Sequence, residues 1–137
     1  MALGEKICDY RGKITSMKVL PFDDGSPEVK YEVTQVLTLT GKLAGSGLGS
    51  NYVRQAADGT SVTRFYGLFT TDTGENLRAE FAGNAVAIGN GRARFRTTGI
   101  LKAPSKDLQW LTDKPLAFEG EGDFGTMEVS GSLYLWS

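Results

Sequence analysis

Glycines cut this chain into short runs in which apolar and polar residues alternate. Nothing else in the sequence constrains the fold as strongly, because a period of two marks a half-buried strand and glycine-bearing turns mark where strands reverse. The clearest run is "VKYEVTQVLTLTGKL". Val29, Tyr31, Val33, Leu37 and Leu39 lie on one face, and Lys30, Glu32, Thr34, Thr38 and Lys42 on the other. Gln35 interrupts the apolar face. An earlier run over residues 13–20 ends in the turn-rich "PFDDGSP". "GSGLGS" reads as a glycine bend or bulge at a barrel corner, leading into "NYVRQAA". "DGT" at 58–60 and "DTG" at 72–74 predict hairpin turns on either side of "SVTRFYGLFT", each with glycine where a positive φ is cheap.

The small-residue stretch "GNAVAIGNG" precedes "RARFRTTGIL", and "APSKDLQWLTDK" is the one plausible helix, a short one capped by Ser105. "PLAFEGEGDF" and "TMEVSGSLYLW" close the chain. There are no helical crossovers of the kind parallel strands need. The expectation is an all-β fold: a single antiparallel β-barrel of about eight strands with one short helical turn, formed by all 137 residues as one domain. Closure is favoured because long strands with little else to cover them must protect their edges.

Composition removes several function classes. Lys plus Arg number 15 and Asp plus Glu 16, so no long-range field draws in nucleic acid or an anionic membrane. There is no histidine, which excludes Ser-His-Asp and Cys-His nucleophilic machinery and the commonest transition-metal ligand. Cys8 is the only cysteine, so no intrachain disulfide is possible. The start, "MALGEKICDYRG", lacks the apolar stretch of a signal peptide, and no run approaches membrane-spanning length. A cytoplasmic protein with no metal and no cofactor is expected.

The conspicuous motifs mostly resolve into structure. "DTG" matches the active-site triplet of aspartic proteases, but Glu75 follows it and a β-turn explains Asp72 and Gly74 fully. "GSGLGS" has the glycines of a phosphate cradle without the helix whose N-terminal amides would face the anion. In "RARFR", Arg92, Arg94 and Arg96 share one face while Phe95 points the other way, a poor platform for stacking bases. In "FEGEGDF", Glu119, Glu121 and Asp123 alternate with Phe118, Gly120, Gly122 and Phe124. Three adjacent carboxylates facing a dry interior would each incur a heavy desolvation cost. The phenylalanines are expected inside and the acids outside, paired across strands with the arginine row.

"LAFEGEGDFGTMEVSGSLYLW" resembles the C-terminal hairpin of the allene oxide cyclase-like and dirigent-like barrels, with Gly120, Gly122, Phe124 and Gly131 at the corresponding places. "GKLAGSGLGSNYVRQAADGTSVTRFYGLFTTDTGE" and "FRTTGILKAPSKDLQWL" are similar in texture to small bacterial barrels of unknown function. The resemblance covers about the last two-thirds of the chain. It implies an eight-stranded barrel with a small, largely apolar cavity, assembled as a homo-oligomer. It also implies chemistry by confinement, in which a reactive ligand is folded into one conformation while a few polar groups steer it.

Two functions follow. One is a cofactor-free isomerase or cyclase acting on a small hydrophobic organic ligand; the other is a barrel that binds and carries such a ligand. Gln35 and Tyr31, on the cleanest apolar face, are candidate ligand contacts. Arg64 and Tyr66 alternate with Val62 and Leu68 and would be buried with them, unless Phe65 and Phe69 take the inner face. On the first alternative Tyr66 is the proton donor and Arg64 an anchor for an anion or carbonyl. Glu80 is the candidate pocket carboxylate, although Leu77, Ala79 and Phe81 on the opposite face would turn it toward water. Trp110 would either lid one barrel mouth or plug the core.

Overall fold

The alternating runs form eight antiparallel strands that close on themselves in sequence order. The structure, a computed structural model, describes residues 2–21, 25 and 27–136. The strands are β1 (Leu3–Val19), β2 (Val29–Gly41), β3 (Gly45–Gln55), β4 (Thr60–Thr71), β5 (Asn76–Gly89), β6 (Arg92–Lys102), β7 (Leu116–Asp123) and β8 (Glu128–Trp136). β1 pairs with both β2 and β8, which removes the sheet edges. One 3₁₀ turn, Lys106–Leu108, lies between β6 and β7, with the Ser105 hydroxyl accepting from the Asp107 N–H as the cap. Residues 22–24 and 26 of the "PFDDGSP" turn lie outside the described residues.

Three boundaries differ from the sequence expectation. β1 begins ten residues earlier than the run at 13–20, and β-bulges interrupt its pairing near both ends. They break the strict alternation, so that neighbouring Ile7 and Cys8 are both buried. "GSGLGS" is not a corner but the first half of β3, and most of "GNAVAIGNG" belongs to β5. In the first of these, Gly47 and Gly49 make room for the Phe69 and Phe65 rings of β4, while a Cβ at Gly83 in the second would meet the β6 backbone at Arg96 and Thr97. A Cβ at Gly49 would clash with the Phe65 ring, and one at Gly67, on β4 itself, would lie 2.8 Å from that ring. The predicted turns at 58–60 and 72–74 are present, with Gly59 at φ 87° and Gly74 at φ 89°.

On the outer face the arginine row meets the acids as the strand alternation requires. Arg94 pairs with Glu121 at 3.1 Å and Arg96 with Glu119. These are exposed to half-exposed pairs, each worth at most about 1 kcal/mol and screened by salt. "FEGEGDF" is therefore a strand with its carboxylates in solvent contact and its phenylalanines turned inward.

An up-and-down barrel has two ends with alternate connections at each, and the two ends here are unlike. At one end Leu43 from the β2–β3 turn and Leu108 and Leu111 from the β6–β7 connection are buried over Leu77, Leu101, Leu116 and Leu133. Behind this plug sits an aromatic layer. Tyr10 stacks on Phe118 at 4.4 Å between ring centroids, and Phe65 lies 5.3 Å from Phe118. Two buried hydroxyls in this half are paired: the Tyr10 hydroxyl donates to the Glu119 carbonyl at 3.0 Å and the Thr97 hydroxyl to the Phe118 carbonyl at 3.1 Å.

Cys8 is part of this packed half, and burial pushes its thiol up from 9.0 to about 12. The thiol should resist a disulfide reagent such as Ellman's at pH 8 in the native protein and react fully once the chain is unfolded in urea. Below pH 9 both states hold the proton and its contribution to stability is complete. Between pH 9 and 12 the unfolded chain loses the proton first, so stability falls as pH rises. A urea midpoint that falls as steeply in Cys8→Ala as in the parent over that window would assign the effect elsewhere.

Candidate functional site

The other half of the barrel is hollow. At the end carrying the β1–β2, β3–β4, β5–β6 and β7–β8 connections, a cavity of about 470 Å³ opens between the strands. That volume lies in the range of small-molecule sites. An eight-stranded barrel is just wide enough either to be filled by its own side chains or to hold one small ligand, and this one does each at one end. Ile14, Val33, Val53, Phe95 and Val129 supply most of its wall, and Met17, Val19 and Phe124 stand toward the mouth.

The deepest lining residue contributed by each strand defines the cavity floor. Ile14, Ala85, Phe95, Gly122 and Val129 make an apolar arc from β1 and β5–β8. The remaining arc is polar: Gln35 from β2, Asn51 from β3 and Thr63 from β4. Register sets them diagonally across three adjacent strands, since Gln35 pairs with Gly49 and Asn51 with Phe65, while Thr63 pairs with Val53. Diagonal neighbours of this kind lie within reach of long side chains.

Gln35 is 3% exposed and Thr63 6%. The Thr63 hydroxyl is buried with no hydrogen-bond partner among the described residues. A buried polar group without a partner costs about 1–3 kcal/mol. The contrast with Tyr10 and Thr97, paired just below the floor, is direct.

Of the residues singled out in the sequence, Tyr31 and Gln35 line this cavity. Tyr31 is half-buried, its ring edge-on to Phe124 at 6.4 Å, and burial pushes its phenol above the usual range. The other four lie elsewhere. β4 turns Phe65 and Phe69 inward, which places Arg64 and Tyr66 on the outer surface, where Tyr66 meets Tyr52 edge-on at 5.9 Å. Glu80 is exposed beside Tyr66 in the β4–β5 pairing, because Ala79 and Phe81 take the inner face. Trp110 is 40% exposed at the plugged end, opposite the cavity, and Leu108 and Leu111 do the plugging. Arg64, Tyr66, Glu80 and Trp110 therefore have no access to the cavity, and the inward register of the phenylalanines is the reason.

Asn51 and Thr63 are polar floor residues that the sequence alone did not single out. Each shares strand parity with an inward residue, Asn51 with Val53 and Thr63 with Phe65, and that parity is the signal that identifies them. Among the described residues no group of three or more His, Cys, Asp or Glu side chains is arranged to hold a metal ion. Among the described residues no helix is long and apolar enough to cross a membrane.

No family model and no curated protein matches this sequence. Solved structures do resemble it. A protein of unknown function from Clostridium acetobutylicum ATCC 824 superposes with a TM-score of 0.83 at 15% identity, over 97% of this chain and 98% of that one. A beta-barrel like protein from Acinetobacter baumannii AYE gives 0.81 at 15% identity, over 96% and 93% of the two chains. A conserved protein of unknown function from Rhodopseudomonas palustris gives 0.79 at 12% identity, covering 98% of each. The likeness is one of fold along nearly the whole length: this chain is built as the same kind of small closed β-barrel.

Proposed function

We propose that this protein binds a small, largely apolar organic molecule in the hollow half of its barrel. The observation that carries this reading is the polar arc of Gln35, Asn51 and Thr63, with the buried Thr63 hydroxyl unpartnered, at the floor of a largely apolar cavity. A barrel that needed only stability would fill that space, as its other half does, or would pair that hydroxyl. Among the described lining residues the one charged side chain is Arg92, exposed at the mouth, so the interior suits a neutral body.

An isomerase or cyclase is the second reading, favoured by one observation: the Tyr31 phenol, a hydrogen-bond donor, lines the cavity. Confinement by the walls with a single phenolic donor is a sufficient basis for directing a cyclisation. Carrier and enzyme differ in whether the bound compound is converted.

The test is organic-solvent extraction of the purified protein followed by mass spectrometry, alongside an Ala85→Trp variant whose indole would occupy the cavity. A neutral small molecule released by the parent and absent from the variant is expected. Returning the recovered compound should raise the thermal midpoint of the parent and leave that of Ala85→Trp unchanged. Equal recovery from a folded Ala85→Trp would rule out this cavity as the site. A change in isomer composition on incubation, lost in Tyr31→Phe, would decide for the enzyme.

A further inference from the structure

We propose that the arc of Gln35, Asn51 and Thr63 is what this cavity uses to choose its ligand: it reads the polar end of an uncharged molecule, a carboxamide, ketone or alcohol on an apolar body, seated polar end first. The inference rests on the reading of the hollow half as a binding cavity and goes beyond it by assigning ligand chemistry and orientation.

Three observations support it. The arc is concentrated on adjacent strands, so its groups converge on one side of the floor instead of ringing it. Its members are complementary in kind, two primary amides that both donate and accept and one hydroxyl that does either. A carboxamide, ketone or alcohol finds matching partners there. The floor carries no cation, so a carboxylate seated there would keep its full charge in a water-poor site with only neutral donors around it. A purely apolar molecule would offer none of the three groups a partner and would leave the Thr63 hydroxyl unsatisfied. Arg92 lies at the opposite end of the cavity and offers an acid a place only if its apolar body enters first.

A matched fluorescent series separates these possibilities: naphthalene-2-carboxamide, naphthalene-2-carboxylate at pH 8, and 2-methylnaphthalene, titrated into the full chain. The carboxamide is expected to bind about tenfold or more tighter than either of the others, the factor that a buried unpaired polar group imposes. Gln35→Leu should bring the carboxamide down to the affinity of 2-methylnaphthalene, and 2-methylnaphthalene itself should bind at least as well as before. Thr63→Val, which keeps the shape of the side chain, should lower the carboxamide preference in the same direction and serves if Gln35→Leu does not fold.

Equal affinities across the series, abolished together by Ala85→Trp, would leave the binding cavity in place and overturn the role of the arc, with ordered water satisfying those groups. Tightest binding of the carboxylate, weakened by Arg92→Gln, would overturn it in favour of recognition at the mouth. Failure of all three probes to bind would overturn the cavity reading itself.

Discussion

Gly131→Ala is expected to destabilise the barrel by more than about 3 kcal/mol. A Cβ at this position would fall inside the contact distance of both the Glu119 carbonyl oxygen and the Tyr10 hydroxyl, and 2.7 Å from the Cα of Gly120. Those first two atoms are the ends of the buried Tyr10–Glu119 hydrogen bond. The phenol has nowhere to withdraw, since Tyr10 is 2% exposed and stacked on Phe118. The strands cannot part without breaking the ladder in which Gly120 faces Gly131. The methyl must therefore either expel the ring or open the β7–β8 pairing, and either course adds overpacking to a lost buried hydrogen bond. Gly122→Ala, on the same inward face of β7, is the control. Its Cβ would meet Val129 at an ordinary 3.6 Å, so the variant should be neutral or stabilised by up to about 1 kcal/mol through reduced freedom of the unfolded chain. Urea unfolding followed by circular dichroism measures both. Similar losses in the two variants would mean that space around Tyr10 is not what Gly131 provides.

Period-two alternation fixed the face of β2 and β7, and turn chemistry located the reversals at Gly59 and Gly74, because both signals are local. β4 was not decidable from its own residues. Val62, Tyr66 and Leu68 on one parity compete with Phe65 and Phe69 on the other, and both sets look apolar. The inward Phe65 ring is accommodated by a glycine on the neighbouring strand, Gly49 of β3, where a Cβ would clash with it. The same blindness made "GSGLGS" look like a corner: its glycines are empty only until the neighbouring strand supplies the rings. Gln35 stood out as a polar break in an apolar face. Its meaning as one member of an arc depended on register, which joins it to Asn51 and Thr63 and which no local pattern contains. The difference between the plugged end and the hollow end was equally hidden, since the plug comes from Leu43, Leu108 and Leu111, outside the strands altogether.

Phe65 sits at the seam between the filled and hollow halves, and Phe65→Ala is expected to destabilise the protein by about 3–5 kcal/mol while deepening the cavity. Its ring is 1% exposed and touches the aromatic layer on three sides, with centroids 6.3 Å from Phe69, 6.4 Å from Phe81 and 5.3 Å from Phe118. On the fourth side lie Gly49 and Gly67, which have no side chains to move into the gap. A closed ladder of eight strands resists contraction as well, so the space vacated by the ring should persist as an apolar extension of the floor beside Asn51, its cross-strand partner. The variant should consequently gain affinity for 2-methylnaphthalene, and that probe should restore more of its lost thermal midpoint than it adds to the parent. The carboxamide preference should shrink, because part of the enlarged floor no longer brings a ligand against the polar arc. Loss of stability without any rescue by the apolar probe would mean that the walls do collapse, and that Phe65 is core packing with no part in shaping the cavity.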